Sequence, residues 1–258
     1  MALPPPTNGS TILVTGASAG IGAELARGLA ARGYGVTLVA RREERLRALA
    51  DELGSGAEVA ACDLADAAAR QALVAGLERQ VTGVCNNAGF GSVGRFAELD
   101  AERELRLVRV NVEAVVELTH AFLPGMLEAG AGAVLNVASI AAYQPLPGFA
   151  AYAASKAFVQ SFSEAVHEEL AGTGVSVTCL SPGFTHTEFG AAAGSEGSLP
   201  GFVYGDASDV AEAGIEAMLA GRRSAIPGLA NRASMLGGRV APRSLLLPLV
   251  RQVTDRLR

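Results

Sequence analysis

Short apolar, β-branched runs recur along the chain at residues 11–15, 35–40, 57–61, 83–86, 133–138, 175–180 and 224–226. Between them lie stretches in which apolar positions return every three or four residues, over 23–32, 43–53, from Asp66, 98–125, 152–170 and 206–220. Runs of the first kind read as strands and stretches of the second as helices. Their strict alternation predicts an α/β fold, a doubly wound parallel sheet with helices on both faces. No short-period repeat or low-complexity linker interrupts it, so residues 11–258 read as a single domain behind a flexible lead-in, residues 1–10. The connection 185–206 is longer than an ordinary loop and reads as a lid on the substrate side.

The first strand runs directly into GASAGIG, where Gly16, Gly20 and Gly22, with Ser18, Ala19 and Ile21 between them, precede a helix. Glycines there let backbone turn sharply and approach a pyrophosphate at the positive helix end. The second strand ends in Ala40-Arg41-Arg42, with no carboxylate to accept ribose hydroxyls. Two guanidiniums suit a 2′-phosphate, which favours NADP(H) over NAD(H), and Ser18 can add a hydroxyl. The third strand leads to Asp63 and Leu64, near where an adenine would lie, although Asp63 can equally cap the following helix. The fourth ends in Asn86-Asn87-Ala88-Gly89, small and amide side chains that let backbone pass close to a ribose.

Tyr152 and Lys156 stand one helical turn apart, and Ser139 follows the fifth strand. An adjacent cation favours a phenolate, so this spacing expects a Tyr152 pKa lowered toward the range of general acid–base chemistry. Twenty of the 21 basic residues are arginine, and Lys156 is the sole lysine.

With 50% hydrophobic and 18% charged residues and a net charge of −5, the composition is globular and gives no reason to expect nucleic acid. Cys62, Cys85 and Cys179 lack metal or redox spacing, so no metal site is expected. No apolar run approaches the ~20 residues of a membrane span, and the N-terminus lacks the marks of a signal peptide, so a cytoplasmic protein is expected. Residues 222–258 carry eight arginines against one aspartate. Within the basic extension 228–258, Leu245, Leu246, Leu249, Val250, Val253 and Leu257 form a rough stripe that Pro248 interrupts or starts. The extension either packs on the domain or another subunit, or makes weak contact with an anionic membrane.

Thr15-Gly16-Ala17-Ser18-Ala19-Gly20-Ile21-Gly22, Asp63, Asn86-Asn87-Ala88-Gly89, Asn111, Ser139, Tyr152-x-x-x-Lys156 and Pro182-Gly183, in that order, resemble the short-chain dehydrogenase/reductase family. The resemblance implies a seven-stranded Rossmann-type sheet, a nicotinamide cofactor, a homodimer or homotetramer, and a catalytic set of Asn111, Ser139, Tyr152 and Lys156. Tyr152 would then be the general acid/base that exchanges a proton with a ketone or secondary alcohol. Lys156 would lower its pKa and hold the ribose, Ser139 would orient the carbonyl oxygen, and Asn111 would position a relay water. Pro182, Gly183, Thr185 and Thr187 would join the cofactor contacts. Phe90, Phe149, Phe184, Phe189, Phe202 and Tyr204 would either edge an apolar substrate pocket or simply pack the lid. A non-catalytic NADP-sensing protein on the same fold is the rival reading. An epimerase or dehydratase is a third, though such relatives usually carry a larger C-terminal region.

Overall fold

A computed structural model describes residues 3–54, 56–185, 188, 205–240 and 242–254. Seven strands, β1 (Ser10–Thr15), β2 (Val36–Ala40), β3 (Ala57–Ala61), β4 (Gln80–Asn86), β5 (Gly132–Val137), β6 (Val175–Leu180) and β7 (Ser224–Ala225), form one parallel sheet in the order β3-β2-β1-β4-β5-β6-β7. Alternate residues of each central strand feed opposite cores. Ile12, Val14 and Leu38 pack with α1 (Gly20–Ala30), α2 (Glu43–Leu53) and α7 (Ala207–Leu219) on one face. Leu13, Val39 and Val84 pack with α3 (Ala67–Ala75) and α5 (Ala114–Ala129) on the other. Burial on both faces is why these strands read as unbroken apolar runs. The chain reverses its direction of travel across the sheet between β1 and β4, and that switch point opens a crevice at the strands' carboxyl ends.

The expected helix 98–125 is a continuous helical run over residues 101–129 with a π turn within it. Asp100 accepts the Arg103 amide at 2.7 Å and starts α4 (Ala101–Val108), after which a π turn, Arg109–Glu113, leads into α5. The wider turn carries Asn111 fully inward, at 0% exposure. Helix α5 then continues past Pro124 to Gly130, whose φ of 64° ends it. Asp66, and not Asp63, caps α3, accepting the Ala68 and Ala69 amides. The lead-in is less loose than expected, because Leu3 is only 1% exposed and joins the core shared with α1 and α7.

Helix α6 (Ala150–Glu169) crosses between β5 and β6. The basic extension forms α8 (Leu229–Val240) and α9 (Arg243–Thr254), and Pro248 lies inside α9 instead of breaking or starting it. Helix α8 packs on the 3₁₀ turn Ile140–Tyr143. Of the expected lid, only Thr185, Glu188, Gly205 and Asp206 are described, with Thr185 and Gly205 forming an isolated parallel bridge. Thr187, Phe189, Phe202, Tyr204 and Leu257 lie outside the described residues. Among the described residues no helix is long and apolar enough to cross a membrane.

Candidate active site

The glycine turn after β1 works by allowing close approach. Gly16 and Gly20 have φ of 68° and 55°, where side chains are strained. A Cβ at Gly16 or Gly22 would stand 2.7 or 2.5 Å from the Asn87 amide nitrogen. Asn87 in turn donates to the Thr15 carbonyl at 2.9 Å, while Thr15 Oγ1 accepts the Asn87 and Ala88 amides at 3.0 Å. The ends of β1 and β4 are thereby locked side by side. Ala19, at the start of α1, makes no side-chain cap and the first turn holds no acid, so its amide donors are left for an external anion.

At the end of β2, Arg42 donates to Ser18 Oγ at 3.0 and 3.2 Å and to Glu188 Oε2 at 2.7 Å, and Arg45 joins Glu188 from the next turn of α2. The charge of Arg41 also acts on Asp63. Burial works against the Asp63 charge, but hydrogen bonds from Arg106 and the Ala65 amide, with the charges of Arg106 and Arg41, hold its carboxyl below the usual range. Neighbouring Leu64 is buried, and its carbonyl accepts from Arg70 at 2.8 Å.

Tyr152 and Lys156 share one face of α6, with the ammonium 6.0 Å from the phenol ring centroid. The Ser139 hydroxyl hydrogen-bonds the phenol, and Lys156 Nζ donates to the Val137 carbonyl at 2.8 Å. Burial dominates both groups. It pushes the phenol up to about 12 against the Ser139 hydrogen bond, and pulls the lysine down to about 8. The expected lowering of Tyr152 is therefore absent in the free protein, because desolvation disfavours the phenolate more than the hydrogen bond favours it.

The Asn111 side chain is fully engaged: Oδ1 accepts the Phe90 amide at 3.2 Å, and Nδ2 donates to the Phe90 carbonyl and Ser155 Oγ, each at 3.0 Å. Ser155 Oγ donates onward to the Tyr152 carbonyl at 2.7 Å. Gly89 threads between these groups; a Cβ there would stand 3.0 Å from Asn111 Oδ1 and 3.3 Å from Lys156 Nζ. At the outer end, Pro182 accepts the Ile140 amide, Gly183 accepts from the Thr185 hydroxyl, and Asn231 of α8 lies against Gly183. Phe184 is 47% exposed, and Arg103 stacks over Phe90.

The structure thus gathers Ser139, Tyr152, Lys156, Asn111 and Gly89 at one place, and Ser18 with Arg42 at another along the same strand ends. Arg45, Arg106, Ser155 and Glu188 are passed over by sequence reasoning. Ser155 has a local signal, its place three residues after Tyr152 on one helix, whereas Glu188 has none.

A family model described as short chain dehydrogenase matches residues 10–197. Sulfoacetaldehyde reductase 2 of Chromohalobacter salexigens is 40% identical over 185 residues, 69% of this chain and 73% of that protein. A short-chain dehydrogenase from Sphingobium yanoikuyae, solved in complex with NADPH, superposes with a TM-score of 0.79 at 33% identity, covering 92% of this chain and 94% of the other. A 7β-hydroxysteroid dehydrogenase superposes with a TM-score of 0.83 at 25% identity over 94% and 96%. The chain belongs to the short-chain dehydrogenase family, oxidoreductases that act between CH–OH and C=O groups with a nicotinamide cofactor.

Proposed function

We propose that the protein interconverts a ketone and a secondary alcohol with NADP(H), and that its substrate is apolar. The observation that carries the reading is Tyr152 and Lys156 on one face of α6, the ammonium 6.0 Å from the phenol ring centroid, with Ser139 acting on the same phenol. The glycine cradle, the uncapped start of α1 and the arginines beyond β2 fit a dinucleotide with an additional phosphate. Gly16, Ser18, Ala19, Gly20, Ile21 and Gly22 would hold the pyrophosphate end and Asp63 with Leu64 the adenine. Asn87, Ala88, Gly89, Lys156, Pro182, Gly183, Thr185 and Thr187 would hold the ribose and nicotinamide. The nicotinamide supplies hydride chemistry when bound.

Tyr152, whose pKa burial pushes further above its ordinary value, is protonated at neutral pH, the state in which it can give its proton to a carbonyl oxygen. Ser139 would hold the same oxygen as charge develops on it. Lys156 would hold the ribose hydroxyls and, as a cation, ease the departure of the phenol's proton. With the Asn111 amide engaged by Phe90 and Ser155, its relay water would fall to the main chain of the π turn. Phe90, Phe149 and Phe184 supply apolar edges, and no arginine or lysine other than Lys156 occurs from residue 143 to 199. The enzyme is further proposed to be a homo-oligomer, because the neighbouring helices α4 and α6 leave Leu105 53% and Phe158 42% exposed.

The test is a panel of alicyclic and aromatic ketones with NADPH or NADH. Tyr152→Phe is expected to lower turnover by at least about a hundredfold, the scale of a lost general acid, with NADPH binding kept. A fully active variant refutes the assignment. Equal kcat/KM with both cofactors refutes the NADP preference.

A further inference from the structure

Ser18, Arg42 and Arg45 make a seat for an anion, and the anion seated there is a carboxylate of the chain itself. Each oxygen of Glu188 takes one guanidinium: Arg42 Nη1 lies 2.7 Å from Oε2 and Arg45 Nη1 lies 2.5 Å from Oε1. The remaining edge of the Arg42 fork donates to Ser18 Oγ. Arg42 and Arg45 are three apart at the start of α2 and so face the same way. Hydrogen bonds from Arg45 and then Arg42 hold the Glu188 carboxyl below its usual range, so it is charged at neutral pH.

The side chains of Arg42, Arg45 and Glu188 are 44%, 50% and 51% exposed. Ion pairs so open to water are individually weak and exchange readily. A phosphate monoester bears up to about two charges and three acceptor oxygens, and would displace a single carboxylate from the same forks.

We infer that Glu188 is an internal competitor for the adenosine 2′-phosphate at the Ser18–Arg42–Arg45 seat, and that Arg45 is a cation of that seat beside Arg42. Glu188 then sets how far NADP is preferred to NAD, by occupying the seat whenever the phosphate does not. This rests on the NADP reading above, and it adds two specificity-determining residues to it.

Calorimetric titration with 2′,5′-ADP and with 5′-ADP tests the inference in the intact protein, without turnover. Glu188→Gln is expected to tighten 2′,5′-ADP by about two- to tenfold, the range of one or two exposed pairs, and to leave 5′-ADP unchanged. Arg45→Gln is expected to weaken 2′,5′-ADP by about tenfold, the scale of a charge-assisted hydrogen bond, and Arg41→Gln by less. If the wild-type protein prefers 2′,5′-ADP and Glu188→Gln leaves that preference unaltered or reduced, the competitor inference fails while the NADP reading stands. If neither protein distinguishes the two ligands, both fail. A preference that emerges only in Glu188→Gln supports the inference directly.

Discussion

Lys156 is 5% exposed, with its ammonium on a main-chain carbonyl. Its depression from 10.5 to about 8 means that burying the charge costs about 3 kcal/mol at neutral pH. Between those two values the unfolded chain binds more protons than the folded one, so this contribution makes stability rise with pH. Lys156→Met cannot titrate. It is expected to be more stable than wild type below pH 8, after about 1 kcal/mol for the lost Val137 hydrogen bond, and to lose that advantage by pH 10.5. Tyr152, still present in both, cancels from the comparison. Denaturant midpoints at both ends of the window measure the effect, and a difference independent of pH would contradict it. Placements that follow from local spacing, such as Tyr152 with Lys156 on one helix face or the glycines of the first turn, were legible in the sequence, whereas the direction of the Tyr152 shift was not, because burial has no local signature. Glu188 was not, because its partners lie 143 and 146 residues away and no periodicity links them.

At the scale of elements, strands buried on both faces announced themselves, and so did the strand–glycine–helix unit. The π turn within 98–125 did not, because it adds one residue without changing the apolar pattern around it. Glycine distinguishes places where the backbone is crowded from places where it is open. A Cβ at Gly22 would meet Asn87 and the Gly16 carbonyl, whereas one at Gly237 in α8 meets nothing within 4 Å. Gly22→Ala is therefore expected to cost about 1–3 kcal/mol, as overpacking does, and to weaken NADPH binding. Gly237→Ala is expected to change stability by no more than about 1 kcal/mol in the stabilising direction. Unfolding midpoints and NADPH titration of the pair separate crowding from a general effect of alanine.

For the molecule as a whole, the alternation of elements was enough to give the parallel sheet and hence the end at which ligands bind. Which surfaces would meet a second copy in the proposed homo-oligomer depends on exposure, which no one-dimensional pattern supplies. Leu105→Glu with Phe158→Glu is expected to shift the protein toward monomer in sedimentation at micromolar concentration; an unchanged assembly would place the interface elsewhere. That the C-terminal extension packs on the domain was among the expected readings, but its contacts were not legible: Asn231 lies against Gly183, and a Cβ added at Gly238 would stand 3.2 Å from the Tyr143 carbonyl. That helix begins after the stretch matched by the family, which stops at residue 197. Asn231 of that helix nevertheless reaches Gly183, inside the matched stretch, at the outer end of the crevice. Under the proposed ketone–alcohol activity, exchanging residues 228–254 with those of a relative is expected to change substrate selectivity more than turnover, because Asn231 contacts Gly183 at the crevice's outer end.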